Sequence, residues 1–341
     1  MKKLFIHIGI ALLLIFLINQ FAIHAGKTYK DGASIICEQK RLAVRNDHWE
    51  VSDEKPTVLF FGASGILSAI IPTVFDSILD YQTYSLNLAL PALPIGPYYH
   101  CLLDYLENNN PPDYIILTYH IDSEEVILFN SYANQGIDFP DELFSYFINR
   151  KDKNQMLNYL LPLHVYKEPV FKYMYNRVID PSDIRENRER NARIVNRMLK
   201  NRGYYFIIEQ SKYPDGRLPD DYKEESDNPE RTMKMYDPDG DIYVEKFFSL
   251  TKKLGTQVLL VNYPVREGKY KQFNKTPKEI QKLLQTYDNV SISEGGWKIP
   301  FFENKYFSDP HHLNKWGAEM YTKQVATDFK SVYLSGTSIS K

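Results

Sequence analysis

Short runs rich in apolar residues, each ending at a polar turn, recur along the chain after residue 55. The clearest are Val58–Phe61, Asp113–Tyr119 and Thr256–Val261. Runs of this length bounded by turns are typical of buried strands. Stretches with apolar residues at helical spacing separate them, at Tyr98–Leu106 and Asp241–Leu254. Because such alternation favours a parallel sheet with right-handed crossovers, the sequence predicts an α/β fold, a three-layer α/β/α sandwich with a mainly parallel sheet.

Four further elements have weaker patterns. We expect strands over Tyr84–Leu90 and Val290–Ser293, and helices over Thr276–Thr286 and Lys315–Phe329. Asn314 has the side chain that a helix N-cap requires, and Gly255 is suited to end the helix before it.

The N-terminus is apolar over a length that would span a bilayer as a helix. The run is Leu4–Ile23, and Lys2 and Lys3 precede it. Lysines at this end favour a cytoplasmic N-terminus. Residues 1–25 are therefore predicted to be a membrane anchor, with the remaining chain extracytoplasmic. A signal peptide cleaved near Ala25 is the alternative.

The rest of the chain divides by composition. Residues 26–55 are polar and predicted to be an irregular stalk, and 56–335 to be one α/β domain. Within that domain, Tyr213–Gly240 is dense in Asp, Glu, Pro and Gly, which predicts a long insert rather than regular structure. The insert is interpreted either as a mobile flap near the site or as a surface loop with no role.

Composition narrows the classes of function. The chain has 341 residues, is 43% hydrophobic and carries a formal net charge of −2. That charge offers no electrostatic reason for nucleic-acid binding. Its two cysteines, Cys37 and Cys101, could form a disulfide or remain buried thiols. No cluster of His and Cys indicates a metal site, and no cofactor is predicted.

An acid and a histidine lie three residues apart just before the last predicted helix. They are Asp309 and His312. This spacing lets a carboxylate contact one ring nitrogen of the imidazole and leaves the other able to accept a proton from a nucleophile. His311 is the competing base, and a turn followed by a helix cap is the purely structural interpretation.

Ser64 is the candidate nucleophile. It follows the first predicted strand in a Gly62–Gly65 turn that leads into an apolar segment. A serine on such a turn lies at the carboxyl edge of the sheet, where ligands bind and where backbone N–H groups can stabilise an oxyanion. A serine that only serves the turn is the alternative, and the nearby Ser68 is expected to be structural.

These motifs together resemble the SGNH (GDSL-like) hydrolase superfamily, in particular its membrane-anchored bacterial branch associated with cell-envelope acylation. Gly62-Ala63-Ser64 is similar to the first family block, and Asn87–Leu90 to the second. Residues Ile71–Asp76 are similar to the segment that often follows the nucleophile in this branch, and Asp309–Asn314 matches the last block. The resemblance implies a Ser64–His312–Asp309 triad on an SGNH-type sandwich.

Two family positions differ in this chain. The glycine usual in the second block is Ala89, whose N–H could still donate to an oxyanion. The asparagine of the third block is missing at Thr118–Asp122, and His120 or Asn87 would have to replace it. Losing one oxyanion donor typically costs about a hundredfold in rate.

The resemblance implies an extracytoplasmic acyl-ester enzyme, an esterase or an O-acyltransferase acting on cell-envelope glycans. Its substrates would be an acylated glycan or another acyl donor, and its partner a membrane-embedded acyltransferase. A non-catalytic envelope scaffold or glycan-binding protein on a degenerate SGNH fold is the alternative function.

Overall fold

The computed structural model describes residues 2–28, 32–49, 51, 54–91, 95–119, 162–179, 181–206, 213–235, 238 and 241–334. The chain forms two compact units. The anchor unit comprises residues 1–38 and 127–195, and the sheet unit comprises 39–126 and 196–341. Of the single domain predicted over 56–335, the described residues 162–195 group with the N-terminal helix.

Seven strands and ten α-helices make up the described chain. The strands are β1 (Thr57–Phe61), β2 (Tyr84–Asn87), β3 (Tyr114–Thr118), β4 (Gln257–Val261), β5 (Val265–Arg266), β6 (Val290–Ile292) and β7 (Phe301–Phe302). The helices are α1 (Lys2–Thr28), α2 (Gly32–Arg45), α3 (Ser64–Leu67), α4 (Pro72–Ile78), α5 (Ile95–Leu106), α6 (Pro162–Val178), α7 (Pro181–Lys200), α8 (Ile242–Leu254), α9 (Lys278–Thr286) and α10 (Lys315–Phe329).

The sheet unit is built on a five-stranded sheet in which all pairs of neighbouring strands are parallel. Its strand order is β2-β1-β3-β4-β6. The order reverses next to β1, so the connections leaving β1 and β2 run in opposite directions and open a crevice at the carboxyl ends of β1 and β3. The α/β class and the parallel sheet are confirmed, while the SGNH-type sandwich stays a prediction.

Aromatic side chains join β1 to helices on both faces of the sheet. Phe60 packs edge-on against Phe75 of α4 at a centroid distance of 5.0 Å, and Phe75 meets Phe329 of α10 at 5.4 Å. Phe61, on the opposite face because successive residues of a strand alternate, meets Phe247 of α8 at 5.9 Å. These contacts fix α10, which follows the predicted histidine, against the helix that follows the predicted serine.

The predicted stalk is wrong between residues 32 and 45, where the structure has the helix α2. Its Lys40 is fully buried and donates to the carbonyls of Asn87 and Ala89 at 2.6 and 2.7 Å. The helix is therefore part of a packed structure rather than an irregular tether.

The N-terminal helix agrees with the predicted anchor in length and composition. Among the described helices, one is long and apolar enough to cross a membrane, over Lys3–Ala25. A signal sequence would meet the same criteria. Cys37 and Cys101 are both buried and neither forms a disulfide, and burial raises the pKa of the Cys101 thiol to about 12.

Candidate functional site

Ser64 lies where the sequence places it, at the first position of α3 and directly after β1. The turn requires Gly62, because a Cβ on that residue would overlap Thr118 Oγ1 at the end of β3. The hydroxyl of Thr118 in turn donates to the Phe61 carbonyl at 3.2 Å. Close approach of the two strand ends thus brings the half-buried Ser64 to the crevice at the carboxyl edge of the sheet.

Asn87 holds the turn that carries Ser64. Its buried amide Nδ2 donates to the carbonyls of Ile66 and Ile70 at 3.1 and 2.9 Å. Its Oδ1 accepts the N–H of Ala89 at 3.1 Å. Both groups predicted as oxyanion donors therefore already have partners inside the protein, and that predicted role finds no support in these bonds. The third predicted donor, His120, lies outside the described residues.

The predicted acid–histidine pair is formed. Nδ1 of His312 lies 2.8 Å from Oδ2 and 2.9 Å from Oδ1 of Asp309. Oδ1 of Asp309 also accepts the backbone N–H groups of His311 and His312 at 2.8 and 2.9 Å. Since the carboxylate accepts from Nδ1–H, the imidazole is held in the tautomer whose Nε2 can accept a proton.

The electrostatics of this pair favour an ionised carboxylate. Burial alone would raise the pKa of Asp309, but the hydrogen bond from His312, the imidazolium charge and the two backbone N–H groups outweigh burial and lower it. The same ionised carboxylate would stabilise a positive charge on His312 when that ring takes up a proton.

His311 is oriented to a different partner. Its Nδ1 lies 3.3 Å from Nζ of Lys269. Burial and then the positive charge of Lys269 lower the pKa of His311. His312 is therefore the histidine that pairs with Asp309, as the spacing predicts.

Ser64 and His312 are not hydrogen-bonded to each other. Helix α10 begins three residues after His312, and its Thr322 hydroxyl accepts the N–H of Ile71 at 3.0 Å, shortly after the Ser64 turn. Within the described part of the chain, no hydrogen bond joins the Ser64 hydroxyl to the His312 ring. Two members of the predicted triad, Asp309 and His312, are hydrogen-bonded. The contact between Ser64 and His312 remains a prediction.

Sequence reasoning missed Arg266. This buried residue lies next to the segment 309–312 that carries Asp309 and His312, here called the acid–histidine loop. Its side chain is 1% exposed, and its Nη2 lies 2.8 Å from both Glu224 Oε2 and Asp227 Oδ1. Its Nε donates to the Pro310 carbonyl at 3.2 Å, and its guanidinium lies 5.0 Å from the ring centroid of Tyr222. An arginine at a strand end gives no local signal that its carboxylate partners lie some 40 residues earlier.

The arginine therefore connects the predicted insert to the acid–histidine loop, and other hydrogen bonds join the same two segments. The Leu218 N–H donates to the Phe307 carbonyl at 2.9 Å, and Asn304 Nδ2 donates to the carbonyls of Asp220 and Tyr222, both at 2.9 Å. The insert lies beside the acid–histidine loop, as the flap interpretation expects, but its described part is anchored there by buried contacts.

A cleft of about 620 Å³ opens between the insert and the loops that follow β5 and β7. Tyr222, Asp227, Glu267 and Glu303 are among its lining residues, which include neither Ser64 nor His312. The cleft is therefore a feature of the insert rather than the crevice at the end of β1.

No protein-family model matches this chain, and no curated protein matches it significantly. The family resemblance therefore rests on the short motifs around Ser64, Asn87 and Asp309–Asn314.

Proposed function

We propose that this protein is a serine-dependent acyl-ester enzyme of the SGNH type, an esterase or O-acyltransferase acting on cell-envelope glycans outside the cytoplasm. The observation that carries the proposal is the bond between Asp309 and His312 Nδ1. In a catalytic triad, a carboxylate of this kind holds the imidazole of the base in one tautomer and one orientation. The position of Ser64 after β1, at the switch point of the sheet, supplies a nucleophile of the right type at the right edge.

The chemistry proceeds in two balanced steps. Ser64 Oγ attacks the acyl carbonyl carbon while its proton passes to Nε2 of His312; the ester C–O bond then breaks and His312 returns the proton to the leaving alkoxide. An acyl-serine ester remains. Water or a glycan hydroxyl then gives its proton to His312 and attacks that ester, which releases an acid or a new acyl ester and restores Ser64.

Reaching this geometry requires a closer approach of Ser64 to His312 than the structure shows. Catalytic hydrogen bonds are often long in ligand-free enzymes and shorten when substrate binds. Ser64 is only half-buried, so it is partly accessible from solvent. The apolar helix α1 supports placing the reaction at a membrane. The family resemblance supports the other two proposals, which are glycans as acyl acceptors and a membrane-embedded acyltransferase as the partner.

A specific observation favours the second function, a non-catalytic scaffold or glycan-binding protein. The Asn87 amide and the Ala89 N–H, which the family pattern would place near the oxyanion, are used to hold the turn and the adjoining loop. An acyl-transfer site without such donors would lose much of its electrostatic stabilisation of the transition state. An inactive descendant of the fold could retain Asp309 and His312 as a loop-stabilising pair.

Labelling with a fluorophosphonate probe separates the two functions, because only an activated serine reacts with it. The enzyme proposal expects covalent modification of Ser64 in the full-length protein, lost in Ser64→Ala and in His312→Gln. The matched control is His311→Gln, which changes the neighbouring ring and should keep the labelling. Absence of labelling in the folded parent protein, or equal labelling of His312→Gln, would sink the enzyme proposal.

A further inference from the structure

Helix α6 has an apolar face on its outside. Five large apolar or aromatic residues near the carboxyl end of this helix are each between 47 and 82% exposed. They are Phe171, Met174, Tyr175, Val178 and Ile179. Their spacing of three and four residues places them along one stripe of the helix. The N–H of Ile179 donates to the Tyr175 carbonyl at 2.8 Å, so the helical turn continues through the stripe.

The opposite face of α6 is the one that packs against the protein. At 100° per residue, Tyr173 and Asn176 point away from the stripe, and Asn176 is buried. The following helix α7 buries Ile194 together with Asn187 and exposes arginines and glutamates. Helix α6 thus buries an amide and exposes its apolar residues, which is unfavourable in water and favourable against lipid.

The stripe belongs to the same unit as the membrane-length helix α1. The ring of Tyr173 meets Phe21 at 6.0 Å and His24 at 6.1 Å, at the carboxyl end of the Lys3–Ala25 segment. Ala22 and Ala25 are fully buried there. Aromatic rings are enriched where a membrane helix leaves the hydrocarbon core. If α1 crosses a bilayer, α6 is therefore held at the surface of that bilayer.

Charge on α6 agrees with this position. Lys172 and Arg177 lie at the two edges of the apolar stripe, and both are exposed. Basic residues that border an apolar helical face reach the headgroups while their aliphatic stems cover hydrocarbon. Their charge also complements an anionic lipid surface.

We propose that α6 is a second membrane-contacting element, whose stripe of Phe171, Met174, Tyr175, Val178 and Ile179 lies in the lipid interface beside α1. The occupant of this face is a bilayer containing anionic lipid. The proposal depends on α1 crossing the membrane and is independent of any acyl chemistry at Ser64. It gives α1 two functions, anchoring the chain and placing α6 at the depth where its apolar face is covered.

Single cysteine variants of the full-length protein, labelled with an environment-sensitive fluorophore, test this contact. The protein is reconstituted into phosphatidylcholine vesicles with and without phosphatidylglycerol, and some lipids carry brominated chains that quench the label. Val178→Cys and Phe171→Cys report on the stripe. Phe16→Cys is the reference inside the bilayer, Glu186→Cys on α7 is the reference in water, and the unmodified protein, whose cysteines are buried, sets the background.

The expected result is a blue-shifted emission and loss of fluorescence at positions 171 and 178, as at position 16, with no loss at position 186. Phosphatidylglycerol should increase the quenching at 178. Equal emission and quenching at 178 and 186 would overturn the proposal. It would also be overturned if Phe16→Cys were unquenched, since no bilayer would then lie beside α6. Protection of 178 from a water-soluble quencher in native membranes but not in lipid vesicles would assign the face to a protein partner instead.

Discussion

Arg266 joins the predicted insert to the acid–histidine loop through one buried guanidinium, and its replacement is the sharpest test of the sheet unit. The substitution Arg266→Met keeps an unbranched side chain of similar reach and removes the charge. It leaves Glu224 and Asp227 without the cation that lies 2.8 Å from each, and the Pro310 carbonyl without its donor. We expect a large loss of stability, because the substitution removes the positive charge that pairs with the largely buried carboxylates of Glu224 and Asp227.

The structure sets the size of the effect. Removing one partner of a buried ion pair costs about 3–5 kcal/mol. The side chains of Glu224 and Asp227 are 21% and 13% exposed, so water can partly solvate them and the loss should lie near the lower end, at about 3 kcal/mol. For a domain of this size, each kcal/mol lowers the thermal midpoint by about 2–4 °C, which predicts a fall of about 6–12 °C.

The loss should also depend on pH, with a definite sign. Burial raises the pKa of Asp227, but the hydrogen bonds and charge of Arg266 outweigh burial and lower it. A carboxyl with a lowered pKa in the folded state adds stability above its unfolded pKa, and that stability is lost as the pH falls through the folded value. The difference between the parent and Arg266→Met should therefore be full at neutral pH and shrink below the ordinary value of 3.8.

Thermal unfolding across this pH range measures both effects. The matched control is Lys271→Met, which removes an exposed ion pair to Glu230 of the same insert, 3.2 Å long and worth no more than about 1 kcal/mol. Equal midpoints for the two variants, or a difference that grows at acid pH, would show that the Arg266 cluster does not stabilise the fold as described.

Three other substitutions test local steps of the argument by denaturant unfolding. Gly62→Ala should cost about 1–3 kcal/mol, because its Cβ would overlap Thr118 and Ile66; an unchanged midpoint would refute the close approach of β1 and β3. Asp241→Ala should cost about 1 kcal/mol through lost capping of α8 at Tyr243 and Val244, while Asp241→Asn keeps an acceptor; equal losses would contradict the cap. Ser64→Ala should change the stability by less than about 0.5 kcal/mol, since no core cavity opens, and a larger loss would make Ser64 structural.

The central fold could be predicted because its signals are local. The strands β1, β3 and β4 lie within one residue of the predicted limits, since each is a run of buried apolar residues between turns. Helix α10 has the predicted bounds, and its Asn314 Oδ1 accepts the N–H of Gly317 at 3.1 Å as a cap. Strand β2 ends at Asn87, three residues early, although the N–H groups of Leu88 and Leu90 still donate to the carbonyls of Phe60 and Gly62 beyond it.

The elements that prediction missed depend on distant partners. The polar composition of residues 26–55 concealed helix α2, whose Lys40 bonds carbonyls about 47 residues away. In the candidate site, Asp309 and His312 could be found because they are three residues apart on one turn. Arg266 could not, since neither of its carboxylate partners is a neighbour in sequence. Local motifs thus predicted the acid–base pair and failed for the contacts that hold its loop.

Those contacts bear on whether the insert can move as a flap. Lifting it from the loop would separate Arg266 from Glu224 and Asp227 at a cost similar to the substitution, about 3 kcal/mol, which leaves roughly one molecule in a hundred open. Hydrogen exchange can measure this at the Leu218 amide, which donates to the Phe307 carbonyl across the junction. We expect its exchange to be slowed about a hundredfold, to accelerate in Arg266→Met and to stay slow in Lys271→Met. Unprotected exchange at Leu218 in the parent protein would instead show that the insert opens freely and that the Arg266 contacts do not hold it beside His312.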